Sequence, residues 1–216
     1  MEPANRRGTG DDDVGQTLAT TGFAALWRGE AAVPSELAPA ADDAEAVAAA
    51  LARQGCAEVD ADGRLVGIHG LTLRDSRHWI LHDGVGHQTW CAFDAIGIPA
   101  ALRLDAAAHS DCPACGAPIV VTMGQAIPTG DATALLWLPE SPCRNPLADF
   151  CAKADLYCTR EHLDHHLGSS GSSGRVIDVE AAAALGQSAW ADVGHLDLST
   201  GKDVTDHALL VLRQRT

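Results

Sequence analysis

Cys91 and Asp94 stand three residues apart in Thr89-Trp90-Cys91-Ala92-Phe93-Asp94-Ala95-Ile96-Gly97-Ile98-Pro99-Ala100, an otherwise apolar stretch. On a helix, positions i and i+3 share a face. A thiol and a carboxyl would then lie side by side, partly withdrawn from water. Burial disfavours the charged form of each and so raises both pKa values. Such a pair can trade a proton with a bound reactant. The plainer reading is a core cysteine, a residue type often fully buried, beside an aspartate that caps the helix or faces solvent. Cys151, in Asp149-Phe150-Cys151-Ala152, offers a second thiol. Two thiolates bind a soft metal tightly, and a nearby carboxyl can shuttle a proton. Whether Cys151 faces Cys91 is a matter for the tertiary structure.

Two other groups of residues have ligand-like spacing. Cys112-Pro113-Ala114-Cys115 is a CxxC, which serves as half of a zinc knuckle, as a redox pair, or as a tight turn with two incidental thiols. No second CxxC accompanies it, so Cys143 and a histidine would have to complete a site. Gly116 and Pro118 follow directly, which favours a turn between strands over the helix start that a redox motif wants. In Glu161-His162-Leu163-Asp164-His165-His166, His162 and His166 have the i, i+4 spacing of helical zinc ligands but lack the HExxH order. The same histidines suit a solvated helix C-terminus, where the dipole favours positive charge, and this second reading is preferred.

Charge and composition exclude several classes. There are 15 basic against 29 acidic residues, a formal net charge of -14, and no basic patch, which speaks against a nucleic-acid partner and an anionic membrane surface. The N-terminus has no apolar h-region, and no apolar run approaches the ~18–20 residues of a membrane span. The expected compartment is the cytoplasm, where seven cysteines are thiols or metal ligands rather than structural disulfides.

The elements that must position these residues follow from periodicity and punctuation. Residues 1–15 are polar and Gly-rich and are expected to be disordered. A short helix is expected near Thr17–Leu26, a helix start at Pro34–Ala38, and a stronger helix at Asp42–Ala52 ended by Gly55. Ala57–Ile68 reads as a hairpin around Asp62-Gly63. Leu71–Leu73, Trp79–Leu81, Ala100–Asp105, Pro118–Met123 and Thr133–Pro139 read as strands. Asp83–Gly86 reads as a turn, and Pro99 as the end or kink of the Cys91 helix. Leu147–Leu167 reads as one helix, broken near Cys158-Thr159, and Gly168–Gly174 as a link or turn. Asp178–Gly186 reads as a helix with a terminal glycine, and Asp206–Arg213 as a last helix or strand. Two helices and a hairpin resemble a winged helix, although an acidic second helix argues for a structural module rather than DNA binding.

Several of these pieces together resemble the organomercurial (alkylmercury) lyases. They are Asp60-Ala61-Asp62-Gly63-Arg64-Leu65-Val66-Gly67, Gly70-Leu71-Thr72-Leu73, Trp90-Cys91-Ala92-Phe93-Asp94, Pro99-Ala100, Cys112-Pro113-Ala114 with Gly116-Ala117-Pro118, and Asp149-Phe150-Cys151-Ala152. The likeness runs from about residue 35 to 195 and weakens after Met123. It departs at Ile98, at Cys115, and after Cys151, where Ala152-Lys153-Ala154-Asp155-Leu156-Tyr157-Cys158 replaces a histidine and paired aromatics.

The resemblance implies an α+β fold: a winged-helix-like region over 16–70, then a mixed, largely antiparallel sheet core with flanking helices over 71–216. It implies a carbon–mercury lyase in which Cys91 and Cys151 take the mercury, with Asp94 as a further ligand candidate. Asp94 would accept a thiol proton and deliver a proton to the leaving carbon. Cys112 would be structural. The products would be a hydrocarbon and Hg(II), with free thiols as co-substrate, no other cofactor, and hand-over of Hg(II) to a mercuric reductase. Two alternatives remain: a non-enzymatic soft-metal carrier or sensor, and a divergent family member with another substrate. The added Cys115 and Cys158, with His162, point to added metal handling or to a divergent paralogue.

Overall fold

The computed structural model describes residues 8–198, apart from 131–132, 141–143, 172, 195 and 197. Its helices are α1 (Gly8–Trp27), α2 (Pro34–Leu37), α3 (Ala44–Arg53), α4 (Ala92–Ala101), α5 (Arg160–Ser170) and α6 (Val179–Ala189). Its first strands are β1 (Ala57–Val59), β2 (Leu65–Ile68), β3 (Leu71–Thr72), β4 (Trp79–His82) and β5 (Val85–Thr89). Then come β6 (Ala106–Asp111), β7 (Pro118–Gly124), β8 (Ile127–Gly130), β9 (Leu135–Pro139), β10 (Asp155–Tyr157) and β11 (Gly174–Asp178), with a short π-helix at Pro146–Cys151.

The architecture is α+β, as expected. One sheet has the order β1-β2-β3-β5-β4-β6-β7-β8 and a smaller one β10-β9-β11. Every strand pairing among the described residues is antiparallel. The hairpin between β1 and β2 turns where expected: the Asp60 carboxylate accepts from the N–H groups of Asp62 and Arg64, each at 2.9 Å, and Gly63 takes φ 77°. The strands before and after residue 70 belong to one continuous sheet.

The centre is α4. Ala92 and every residue from Asp94 to Ala100 are buried, because the large sheet covers one side and α6 the other. The two helices meet at glycines. A Cβ on Gly186 would lie 2.2 Å from Gly97 Cα, and one on Gly97 would lie 2.4 Å from the Trp190 ring. Gly186 is therefore an inside contact of α6 and not its end, which corrects the expected terminus.

Other expectations are revised by tertiary contacts. α1 starts at Gly8, well inside the segment expected to be disordered; once its buried Leu18, Phe23 and Trp27 anchor a helix, extending it toward the N-terminus costs little. Ala100–Asp105 is not a strand. It is the last turn and exit of α4, where the N–H groups of Leu102 and Leu104 bond to the carbonyls of Ile98 and Pro99 and Arg103 takes φ 56°. Leu147–Leu167 is not one helix. Its middle, Asp155–Tyr157, is drawn into the small sheet by pairing with β9 and by the bond of Arg77 to the Asp155 carboxylate. The break at Cys158-Thr159 falls as expected, with Thr159 capping α5. The expected element at Asp206–Arg213 and residue Cys143 lie outside the described residues. No described helix is long and apolar enough to cross a membrane.

Candidate active site

The start of α4 builds the first cluster. Cys91 is its N-cap and Asp94 its third residue, so the two form a reciprocal capping box: the Cys91 N–H donates to Asp94 Oδ2 at 2.9 Å, and the Asp94 N–H points at the Cys91 sulfur. The pair was expected to share a helix face. It shares the helix terminus instead, where the dipole favours anions. Thr89 holds the approach to this turn through its hydroxyl bond to the Cys91 carbonyl, and the Ala92 N–H donates to the Ala154 carbonyl at 3.2 Å. That last bond ties the α4 terminus to the segment following Cys151. Cys151 ends the π-helix, whose start is capped by the Asn145 side chain. The donor atoms of Cys91, Asp94 and Cys151 all lie within 4.8 Å of one another. With metal–sulfur bonds near ~2.3 Å, two sulfurs on one ion can stand roughly 4.6 Å apart, so the two thiols are at or close to bridging distance.

This cluster is dry: Cys91 is 0%, Asp94 4% and Cys151 8% exposed. Burial, then the hydrogen bond with Cys151 and the charge of Asp94, push the Cys91 thiol well above its usual range. Burial also raises Asp94 to about 7, although hydrogen bonds from the Cys91 side chain and backbone oppose the rise. Near neutral pH the site therefore holds a protonated thiol beside a carboxyl able both to take and to give a proton.

Gly70 and Trp190 complete the surround, and neither is singled out chemically by the sequence. A Cβ on Gly70 would stand 3.1 Å from the Asp94 carboxyl and 3.1 Å from Trp190, and its φ is 91°. Only a glycine lets the backbone turn this close to the carboxyl. The Trp190 Nε1–H donates to the His69 carbonyl at 2.8 Å, fixing the indole against this turn. The available signal is the His69-Gly70 dipeptide between two short strands, a turn with a required glycine.

A cleft of about 700 Å³ lies alongside, lined by Phe93, Phe150, Leu138, Glu140 and Arg175 among others. Phe93 and Phe150 are chain neighbours of Asp94 and Cys151 and meet edge to face at 6.1 Å. None of Cys91, Asp94 or Cys151 lines the cleft. The rings of these two chain neighbours therefore face the cleft, while the thiols and the carboxyl do not.

The second cluster gathers Cys112, Cys115, Cys158 and His162, again with all donor atoms within 4.8 Å. Cys112 to Gly116 is the expected turn between β6 and β7, with the Gly116 N–H donating to the Cys112 carbonyl at 2.8 Å. Burial alone would raise the Cys112 thiol, but N–H groups of Cys158, Ala114 and Cys115 outweigh it and bring it down to about 7. Desolvation and the neighbouring thiols Cys115 and Cys112 push Cys158 up to about 12. His162 joins the cysteines. His166 packs instead against the Tyr157 ring at 5.5 Å, so the pairing of His162 with His166 as ligands is not formed.

The sequence model of the alkylmercury lyase family matches residues 71–191, which include Cys91, Asp94 and Cys151. Two curated alkylmercury lyases are similar to this chain. The one from Pseudomonas putida is 31% identical over 134 residues, covering 60% of this chain and 61% of that protein. The one from Streptomyces lividans is 32% identical over 139 residues, covering 62% and 64%. The chain thus matches a little over three fifths of the length of these relatives. A solved structure described as the mercury-bound form of MerB2 shares the fold, with a TM-score of 0.76 at 22% identity over 84% of this chain and 91% of that one.

Proposed function

We propose that this chain, which belongs to the alkylmercury lyase family, cleaves carbon–mercury bonds by protonolysis. The observation that carries the reading is the dry triad itself: two thiols and a carboxyl poised near neutrality, all within 4.8 Å, inside the segment that matches the family. The substrate is an organomercurial carried as its thiol adduct, R–Hg–SR′. Cys151, the less buried thiol, takes the mercury first, and R′SH leaves with the thiol proton. As the mercury draws in Cys91, the raised pKa of that thiol falls in the field of the cation and its proton passes to Asp94. Two thiolates donate charge to mercury and weaken the Hg–C bond. The Asp94 carboxyl then protonates the departing carbon, giving RH and Hg(II) held by Cys91 and Cys151. Two further R′SH carry the metal away as Hg(SR′)₂ and restore both thiols. The balance is R–Hg–SR′ plus R′SH giving RH plus Hg(SR′)₂, with no cofactor beyond the thiol.

The setting of this reaction is the reducing cytoplasm, with hand-over of Hg(II) to a mercuric reductase. A carrier or sensor would need the two thiols only, and Asp94 at hydrogen-bond distance from Cys91 favours the lyase. The test is to incubate the protein with methyl- or phenylmercury and excess thiol, and to measure methane or benzene together with Hg(II). Stoichiometric hydrocarbon release is expected over many turnovers. Tight mercury binding without hydrocarbon would assign a carrier and overturn the proposal.

A further inference from the structure

Among the described residues, a second set of clustered reactive side chains takes no part in the lyase reaction. Cys112, Cys115, Cys158 and His162 lie at the other end of β6 and beyond β10, on chain segments distinct from those of the first triad. We propose that these four residues form a tetrahedral Cys₃His site that holds a structural zinc ion. The site would fasten the β6–β7 turn to the β10–α5 junction.

Three sulfurs and one imidazole nitrogen, four donors and no carboxylate, is a composition of closed structural zinc sites. The distances agree. Four ligands at zinc bond lengths put tetrahedral S···S edges at roughly 3.8 Å and S···N edges at roughly 3.5 Å. Cys115 Sγ stands 3.7 Å from Cys158 Sγ, and His162 Nδ1 stands 3.9 Å from Cys112 Sγ and 3.1 Å from Cys158 Sγ.

The backbone around the donors is ordered on both arms. Gly116 takes φ 72° and lets the turn fold back under its cysteines, with the Cys112 N–H on the Ala117 carbonyl at 2.9 Å. On the other arm, Thr159 caps α5 by accepting from the His162 N–H at 3.2 Å, which fixes the imidazole one turn beyond Cys158. The turn at Gly116 and the cap at Thr159 anchor both arms through their own backbone bonds, which leaves little ordering for a metal to impose.

The set also lacks what the first cluster has. No carboxylate is among its donors, and the His162 imidazole, taken up as a ligand, would not be free to carry a proton. Cys115 is exposed, Cys158 and His162 are half-buried, and Cys112 is buried. An ion can enter from water and be closed over by four ligands.

The experiment is elemental analysis of the full chain purified in zinc-containing medium under reducing conditions, followed by titration of the stripped protein with Co²⁺. About one zinc per chain is expected, together with the visible absorption of tetrahedral Co²⁺ bound by thiolates. Cys115→Ser and Cys158→Ser, checked for folding by circular dichroism, should lose the zinc and the cobalt spectrum, while Cys91→Ser keeps both. Three results would overturn the proposal: protein that binds neither zinc nor cobalt, zinc lost in Cys91→Ser but retained in Cys115→Ser, or a Cys115–Cys158 disulfide in freshly isolated protein. The metal readout does not depend on hydrocarbon release, so this proposal and the lyase reading fail separately.

Discussion

Two clusters of thiols of similar compactness sit among the described residues, and exposure to water divides them. The triad of Cys91, Asp94 and Cys151 is walled in by α4, the turn at Gly70 and the Phe93–Phe150 pair, and no member exceeds 8% exposure. The quartet of Cys112, Cys115, Cys158 and His162 opens to solvent along one side. The first includes a carboxyl; the second replaces it with an imidazole and a third sulfur. Dryness with an acid makes a place where a proton can be moved on a transient guest. Openness with four neutral-to-soft donors suits the proposed site where an ion stays. In the two proposals the same residue type takes two roles, set by what stands beside it.

The largest effect is expected at Cys91. Cys91→Ser should lower hydrocarbon release by roughly 10⁴-fold or more and leave metal content at the quartet unchanged. A variant that keeps its turnover would show that the buried triad is packing rather than chemistry.

Asp94→Asn should cost roughly 10²–10⁴ in turnover, the range for removing a positioned proton carrier. It should also flatten the pH profile. With Asp94 at about 7, kcat/KM of the native protein should climb as the carboxyl ionises through that pH and becomes able to accept the Cys91 proton. The same shift has a stability consequence. The folded state keeps the Asp94 proton where the unfolded chain, at its usual 3.8, has released it. Stability from this group is therefore full below about pH 4, falls as pH rises to about 7, and is constant above. Asp94→Asn should gain on the order of 2–4 kcal/mol relative to native between those limits, read from urea unfolding at pH 4 and pH 8. An identical pH dependence in both proteins would break the assignment.

Glycine substitutions sharpen the contrast at smaller amplitude. Gly70→Ala faces both φ 91° and the Asp94 carboxyl at 3.1 Å, and should cost about 2–4 kcal/mol in unfolding free energy along with activity. Gly116→Ala faces φ 72° with nothing within 4 Å, and should cost only about 1–2 kcal/mol while leaving turnover intact. Equal losses in the two variants would mean that the triad is no tighter than the open quartet.

Much of the first site is legible from the chain. Trp90-Cys91-Ala92-Phe93-Asp94 marks a thiol and a carboxyl one helical turn apart, and the spacing survives in the fold because both groups belong to one local motif, the capping box of α4. The CxxC turn is equally local, set by Gly116 and Pro118. What is not legible is whatever depends on partners distant in sequence. Asp155–Tyr157 has the pattern of a helix interior, and only the edge of β9 and the charge of Arg77 make it a strand. His162 reads as one of a helical histidine pair, and only the approach of the β6–β7 turn assigns it to the cysteines. Gly186 reads as a helix end, and only the crossing with Gly97 shows that it is a contact.

By itself the sequence determines the local chemistry: which thiols sit beside which acids and caps, where the hairpin and the CxxC turn fall, and which family the pattern resembles. The tertiary structure alone decides which remote donors meet. It brings Cys151 to Cys91 across the Ala92–Ala154 bond, and Cys158 and His162 to Cys112. Capping and turns are settled by residues within a few positions. Burial, and with it the pKa of Asp94 and the proposed division of labour between two thiol clusters, depends on every segment that packs around them.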